Sequence, residues 1–138
     1  MKKILRKYFS LKQAEKLIPK LEKRISKLME INRIITLLNT VNVAYDDEFE
    51  GLSDEIQRHK ETHQASFEFY KEIEALLEIG VIVKDLEQGL VDFHSIYYGR
   101  EIFLCWKLGE RKIEFWHEVE DGYLGRQHIS LLESNYQK

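Results

Sequence analysis

The sequence predicts an α+β fold: an N-terminal antiparallel helical hairpin with long helices, packed on one face of a C-terminal, mostly antiparallel four-stranded β-meander. Three observations predict it. Up to Leu77, apolar residues recur at three- and four-residue steps, as on one face of a helix. From Gly80 onward, short β-branched and aromatic runs are separated by turns that contain glycine. The length of 138 residues suits one domain, 1–138, with a helical half at 10–79, a strand half at 80–129 and a tail at 130–138.

Ser10 and Gln13 have capping-box spacing and open a short helix whose apolar side is Leu11, Ala14, Leu17 and Ile18. Pro19 suits the first turn of a second helix. Its stripe is Leu21, Ile25, Leu28, Ile31, Ile35 and Leu38, and it is expected to end near Asn42. An acidic loop follows, Asp46-Asp47-Glu48 to Gly51. Ser53 is the expected N-cap of the third helix, with Asp54 and Glu55 near the positive end of its dipole. Ile56, His63, Phe67, Tyr70, Ile73 and Leu77 form the stripe expected to be buried, and Gly80 is the expected terminator. Helices of this length, about 35–40 Å at 1.5 Å per residue, outreach a meander of short strands. That mismatch, with Met29, Ile34, Val41, Phe69 and Leu76 on more than one side, predicts a homo-oligomer, most simply a homodimer.

The strands are expected at Val81–Leu86, Leu90–Tyr97, Ile102–Leu108 and Ile113–Val119. Tyr98-Gly99 or Gly99-Arg100 would close the second and third, and Gly109-Glu110 or Glu110-Arg111 the third and fourth. Either choice in each hairpin leaves the same residues on the same face, because the pairing sums differ by two. One face then collects Val91, Phe93, Tyr97, Ile102, Leu104, Trp106, Leu108, Ile113, Phe115, His117 and Val119, and this is the expected core. The other collects Leu90, Asp92, His94, Ile96, Phe103, Cys105, Lys107, Glu114, Trp116 and Glu118. Phe103 and Trp116 do not belong in open water, nor Asp92 and Glu118 in a dry interior unless paired. Such a mixture points to a ligand site or a subunit interface.

Composition narrows the function classes. The net charge of −3, from 21 basic and 24 acidic residues, gives no general signal for nucleic acid. Only the start of the chain (Lys2, Lys3, Arg6, Lys7) is locally basic. Met1–Leu5 is too short and charged for a signal peptide, and no apolar run reaches membrane length. One cysteine, Cys105, excludes an intramolecular disulfide and suits a reducing cytoplasm.

Several constellations bear on chemistry. His59 and His63 lie one helical turn apart, a spacing that lets two imidazoles share a metal, although a bare H-x-x-x-H carries little specificity. His117 and Glu118 are adjacent, so on a strand they point to opposite faces, and His117 is expected as a core histidine beside Leu104 and Phe115. Cys105, His94 and Asp92 form a mixed S/N/O set that a metal accepts. The neighbouring carboxylates raise the thiol's pKa and argue against a nucleophile. Arg126 follows Gly122 and Gly125 and is expected to pair with Glu118 or Asp92, or to clamp an anionic ligand. No phosphate loop, Ser-His-Asp order or dinucleotide fingerprint occurs.

Gly80–Phe93 reads G-V-x-V-K-D-L-x-x-G-L-V-D-F, Gly99–Glu110 reads G-R-E-x-x-L-C-W-x-L-G-E, and Trp116–Arg126 reads W-H-E-x-x-x-G-Y-x-G-R. With Phe9-Ser10-Leu11, Glu15 and Pro19, these blocks resemble the uncharacterised prokaryotic family known as domain of unknown function 2203. That family usually carries proline where His94 and Arg111 stand here. The resemblance implies a shared fold and role and supplies no activity or cofactor. Two functions remain. One is a cytoplasmic interaction or scaffold protein, homo-oligomeric and without catalysis of its own. The other is a small-ligand or metal-binding protein, with enzyme activity left open, whose site is Asp92, Cys105, Trp116, Glu118 and Arg126.

Overall fold

The computed structural model describes residues 6–45 and 51–132. The readings placed on Met1–Leu5, on Asp46-Asp47-Glu48 and on residues 133–138 lie outside the described residues. Two long helices, α2 (Ile18–Tyr45) and α3 (Leu52–Glu78), follow a single-turn helix α1 (Leu11–Glu15). Five antiparallel strands then run in sequential order: β1 (Val81–Asp85), β2 (Leu90–Tyr97), β3 (Arg100–Lys107), β4 (Phe115–Glu118) and the short β5 (Gln127–His128). The α+β architecture is as expected, with one strand more.

The start of the chain is tied to the sheet. Ser10 and Gln13 form both bonds of the capping box, at 3.0 and 3.2 Å. Phe9 N–H donates to the His94 carbonyl at 2.8 Å, and the Ser95 hydroxyl donates to the Phe9 carbonyl at 2.6 Å. Gly80 ends the last helix at φ +93, where a Cβ would lie 2.9 Å from the Phe9 ring. Glycine is therefore required there by both conformation and space. Leu11, Ala14, Ile18, Leu21, Ile25, Leu28 and Leu76 pack on Val81, Val91, Phe93, Ile102, Leu104 and Trp106.

The helical hairpin departs from expectation in three ways. α2 continues to Tyr45, past Asn42. α3 begins one residue after Gly51, its N-cap, and Ser53 lies inside the helix. The buried side of α3 is also rotated. Ile56, Phe67 and Tyr70 are exposed, whereas Leu76 is fully buried and Phe69 and Ile73 pack against the core. Far from the sheet, a polar clasp joins the two helices beside the half-buried Ile35, Leu38 and Val41. Arg58 donates to Asn42 Oδ1 at 2.7 Å, and Asn42 donates to the Thr62 hydroxyl at 2.9 Å. Near the sheet, Arg24 and Lys27 both reach Glu72.

The β2–β3 hairpin closes at Tyr98-Gly99, both at positive φ (50° and 73°), the type I′ geometry that matches strand twist. The β3–β4 connection is not a two-residue turn. It spans 108–114 and is organised by Glu110. Glu110 N–H donates to the Lys107 carbonyl at 3.0 Å, and its carboxylate accepts the Lys107 N–H at 2.7 Å. Its carbonyl accepts Trp106 Nε1–H at 2.8 Å, and Ile113 is fully buried. The pairing that results is Cys105 with Phe115, Leu104 with Trp116 and Phe103 with His117. This is one residue away from either expected register. A one-residue slip exchanges the faces of a strand. Trp116 therefore joins the core, and Phe115 and His117 turn to the face bearing Asp92 and Cys105.

The register yields a direct test. Directly opposed strand residues lie within disulfide reach. Phe115→Cys is expected to form a disulfide with Cys105 on refolding in oxidising buffer, and Trp116→Cys is not. Intact mass after thiol alkylation distinguishes them; a bridge in the second variant alone would refute the register.

Candidate metal centre

On the sheet face away from the helices, Asp92, Cys105 and His117 come from three successive strands. Asp92 and Cys105 are direct cross-strand partners, and His117 lies beside them on β4. All three are buried, at 2%, 2% and 4% relative exposure. One ligand atom from each (a carboxylate oxygen, the thiol sulfur and an imidazole nitrogen) lies within 4.8 Å of the other two. Among the described residues this is the group of three that could hold a metal ion.

The His117 ring is oriented from behind. Its Nδ1 lies 2.8 Å from the Glu118 carbonyl. A carbonyl only accepts, so we assign the hydrogen to Nδ1. Nε2 then points at Asp92 Oδ2, 3.1 Å away. In the neutral ring this sets a nitrogen lone pair against a carboxylate, which requires a proton or a cation between them. Burial disfavours a charged ring, but the Asp92 bond, the Glu118 carbonyl and the Asp92 charge outweigh it, so the His117 pKa is raised. Burial, and then the negative charge of Asp92, push the Cys105 thiol up to about 12, with Arg126 partly opposing. In the metal-free protein Cys105 is therefore a neutral thiol at pH 7, which excludes a free thiolate nucleophile. A bound divalent cation reverses this, because a coordinating thiol is deprotonated.

The geometry corrects the expected convergence. Cys105 and Trp116 lie on opposite faces, because β4 is shifted by one residue. Trp116 packs in the core, with its ring 6.5 Å from Tyr97. Glu118 shares the Trp116 face and pairs with Arg100 at 2.9 Å. His117 is buried as expected, but among Asp92, Cys105 and Phe103 rather than beside Leu104. Arg126 reaches neither Asp92 nor Glu118 in its ion pair. It meets Glu110 at 3.1 Å, and its guanidinium lies 4.1 Å above the Phe115 ring.

The histidine of the expected S/N/O set is replaced. His94 stacks on Phe103 at 4.7 Å, and its pKa is lowered, first by burial and then by the charge of Arg6. His117 stands in its place beside Asp92 and Cys105. His59 and His63 lie on α3, His63 exposed and His59 partly so, and no third donor joins them among the described residues. The signal that finds His117 is the pair Trp116-His117 itself. Burying the indole forces the imidazole onto the polar face, where Asp92 can compensate it.

The three ligand atoms form the floor of a pocket of about 270 Å³. One wall is Lys84, Asp85 and Gln88 from β1 and the turn after it, with Leu90 at the start of β2; the other is Val119, Asp121 and Gly122; Phe103 closes a third side. Gly125 permits this second wall, since a Cβ there would lie 2.6 Å from the Asp121 Cβ.

The raised thiol pKa has a consequence for stability. Cys105 holds its proton more tightly folded than unfolded, so its contribution is complete below its ordinary pKa of 9.0 and is lost as pH rises from 9.0 towards about 12. In the presence of a chelator, the unfolding free energy of the native sequence is expected to fall with pH more steeply than that of Cys105→Ala over this window, by about 1.4 kcal/mol per pH unit. Urea denaturation at a series of alkaline pH values measures both slopes, and equal slopes would refute the assignment.

No curated protein and no solved structure matches this chain. A family model does match, over residues 7–129, and its description is "Uncharacterized conserved protein (DUF2203)". The match takes in the helical half and the whole sheet, including Asp92, Cys105 and His117, and the chain therefore belongs to the DUF2203 family.

Proposed function

We propose that this protein binds a divalent transition metal, zinc by preference, through Asp92, Cys105 and His117, and presents it to a small ligand in the pocket above. One observation carries the reading: three buried ligand atoms of complementary type converge within 4.8 Å, with the histidine lone pair aimed inward by a backbone carbonyl. A carbonyl behind a ligating imidazole is a common second-shell arrangement. Carboxylate, thiolate and imidazole together suit zinc, and three protein ligands leave a fourth position open. Charge balance supports the same reading. A dication with one carboxylate, one thiolate and one neutral imidazole has no net charge, which lowers the cost of burial.

Metal binding is expected to be equimolar and to release one proton from Cys105 and, below the raised pKa of His117, a second from the His117–Asp92 pair. Affinity then rises by up to about 100-fold per pH unit, and by only about tenfold above the raised pKa of His117. Calorimetry in buffers of different ionisation enthalpy counts the protons. His117→Ala and Asp92→Asn are each expected to weaken binding by at least about 100-fold, while His59→Ala with His63→Ala leaves it unchanged. Equal binding by all variants would remove the reading.

A second reading concerns assembly, and exposed apolar side chains favour it. Ile34 and Leu37 on α2, and Ile56, Phe67 and Tyr70 on α3, are between 45% and 70% exposed. This set differs from the expected one, in which Leu76 is fully buried and Met29 and Phe69 pack against the core. Self-association through the hairpin would cover it, giving a homodimeric scaffold around the metal site. Among the described residues no helix is long and apolar enough to cross a membrane, and a reducing cytoplasm would keep Cys105 available as a thiol. Light scattering at micromolar concentration is expected to give twice the 16.5 kDa chain mass, reduced towards the monomer by Phe67→Glu. A monomer in the native sequence would exclude this reading.

A further inference from the structure

The pocket above the three ligands has its own chemistry. At about 270 Å³ it falls just below the range typical of drug-sized ligands, a volume that suits a small molecule. Leu90, Phe103 and Val119 give it apolar sides. Its lining contains one ammonium, Lys84, whose Nζ sits 5.0 Å over the Phe103 ring. Phe103 is itself 5.4 Å from the His117 ring, so one aromatic side chain holds the cation beside the metal ligands. Lys84 makes no ion pair among the described residues. Of the pocket's other charges, the Asp85 carboxylate is taken by the backbone and side-chain amides of Gln88, at 3.2 and 3.3 Å. The Asp121 side chain packs over Gly125 on the opposite wall.

We infer that the pocket takes a small oxyanion, a carboxylate or a phosphate, whose head occupies the open position of the metal while Lys84 supplies its counter-charge. The inference rests on the metal reading above. A dication held by Asp92, Cys105 and His117 is already neutralised, so an anionic fourth ligand would leave the cluster negative. Lys84, an exposed side chain held over the Phe103 ring, offsets the added negative charge without disturbing the ligands. A ligand that is neutral at the metal gains nothing from Lys84, which separates this inference from simple filling of the fourth position.

The test uses the full chain loaded with Co²⁺, whose d–d absorption reports the fourth ligand. Acetate, inorganic phosphate and neutral imidazole are titrated into the native protein and Lys84→Met. At least one oxyanion is expected to change the spectrum saturably. Lys84→Met is expected to weaken that oxyanion by about fivefold or more, while affinity for Co²⁺ and for imidazole stays the same. The tighter of acetate and phosphate identifies the head group. If Co²⁺ binds but neither oxyanion alters the spectrum, or if Lys84→Met leaves oxyanion affinity unchanged, the inference is overturned and the metal reading stands. If Co²⁺ does not bind, both fall.

Discussion

Glu110 decides what the outer face of the sheet contains. Its carboxylate, N–H and carbonyl each meet a group at the end of β3 (Lys107 N–H, Lys107 carbonyl and the Trp106 indole), and its second carboxylate contact is Arg126. This clamp turns a tight hairpin into a seven-residue connection and changes the pairing by one. An indole then goes into the core and an imidazole comes out. A tryptophan contributes more to folding when buried than almost any other side chain. The same shift delivers His117 to Asp92, which would otherwise be a buried carboxylate with no imidazole partner. One local set of hydrogen bonds thus serves both core packing and the polar face.

The polar face is organised as balanced neutral groups. Asp92 lies against the His117 ring and the Cys105 thiol. Glu110 and Arg126 neutralise each other beside them, with the guanidinium spread over Phe115. The Phe103 ring contacts both the His117 and the His94 rings, and beyond His94 lies the cluster at the chain's start, where Arg6 and Tyr8 both bond Glu101. The Cys105 thiol is accordingly governed by its own burial first and by the charge of Asp92 next.

Much of the fold was legible in the sequence because short-range chemistry determines it. The Ser10–Gln13 capping box, the Tyr98-Gly99 turn and the Gly80 terminator are local signals, and each acts in the structure as its residues imply. The α3 stripe was misread for a different reason. Ile56, Phe67 and Tyr70 have helical spacing, but α3 turns Phe69, Ile73 and Leu76 inward near the sheet and Arg58 and Thr62 towards Asn42 far from it, and hydrophobic periodicity does not register a polar contact. At the candidate site, Asp92 and Cys105 were placed together because both turns considered between β2 and β3 leave them on one face, and the observed Tyr98-Gly99 turn is one of the two. His117 was missed and Trp116 and Glu118 were wrongly added because both turns considered for Gly109–Arg111 have the same parity. A third option, in which Ile113 inserts into the core, reverses it. Parity arguments are as strong as the turn lengths they assume.

The polar clasp between α2 and α3 has a consequence for how the molecule can change. The apolar core stops near Ile31 on α2, and beyond it the hairpin is aligned by Asn42, Arg58 and Thr62. Hydrogen bonds of this kind specify which turn of one helix faces which turn of the other, yet they ask nothing of the sheet. The outer hairpin is thus mechanically an arm, set in register at its far end and rooted in the domain at its near end. Whole turns added to both helices, or removed from both, would alter its reach while leaving the strands and the pocket untouched. Arm length and pocket chemistry are separable variables in this architecture.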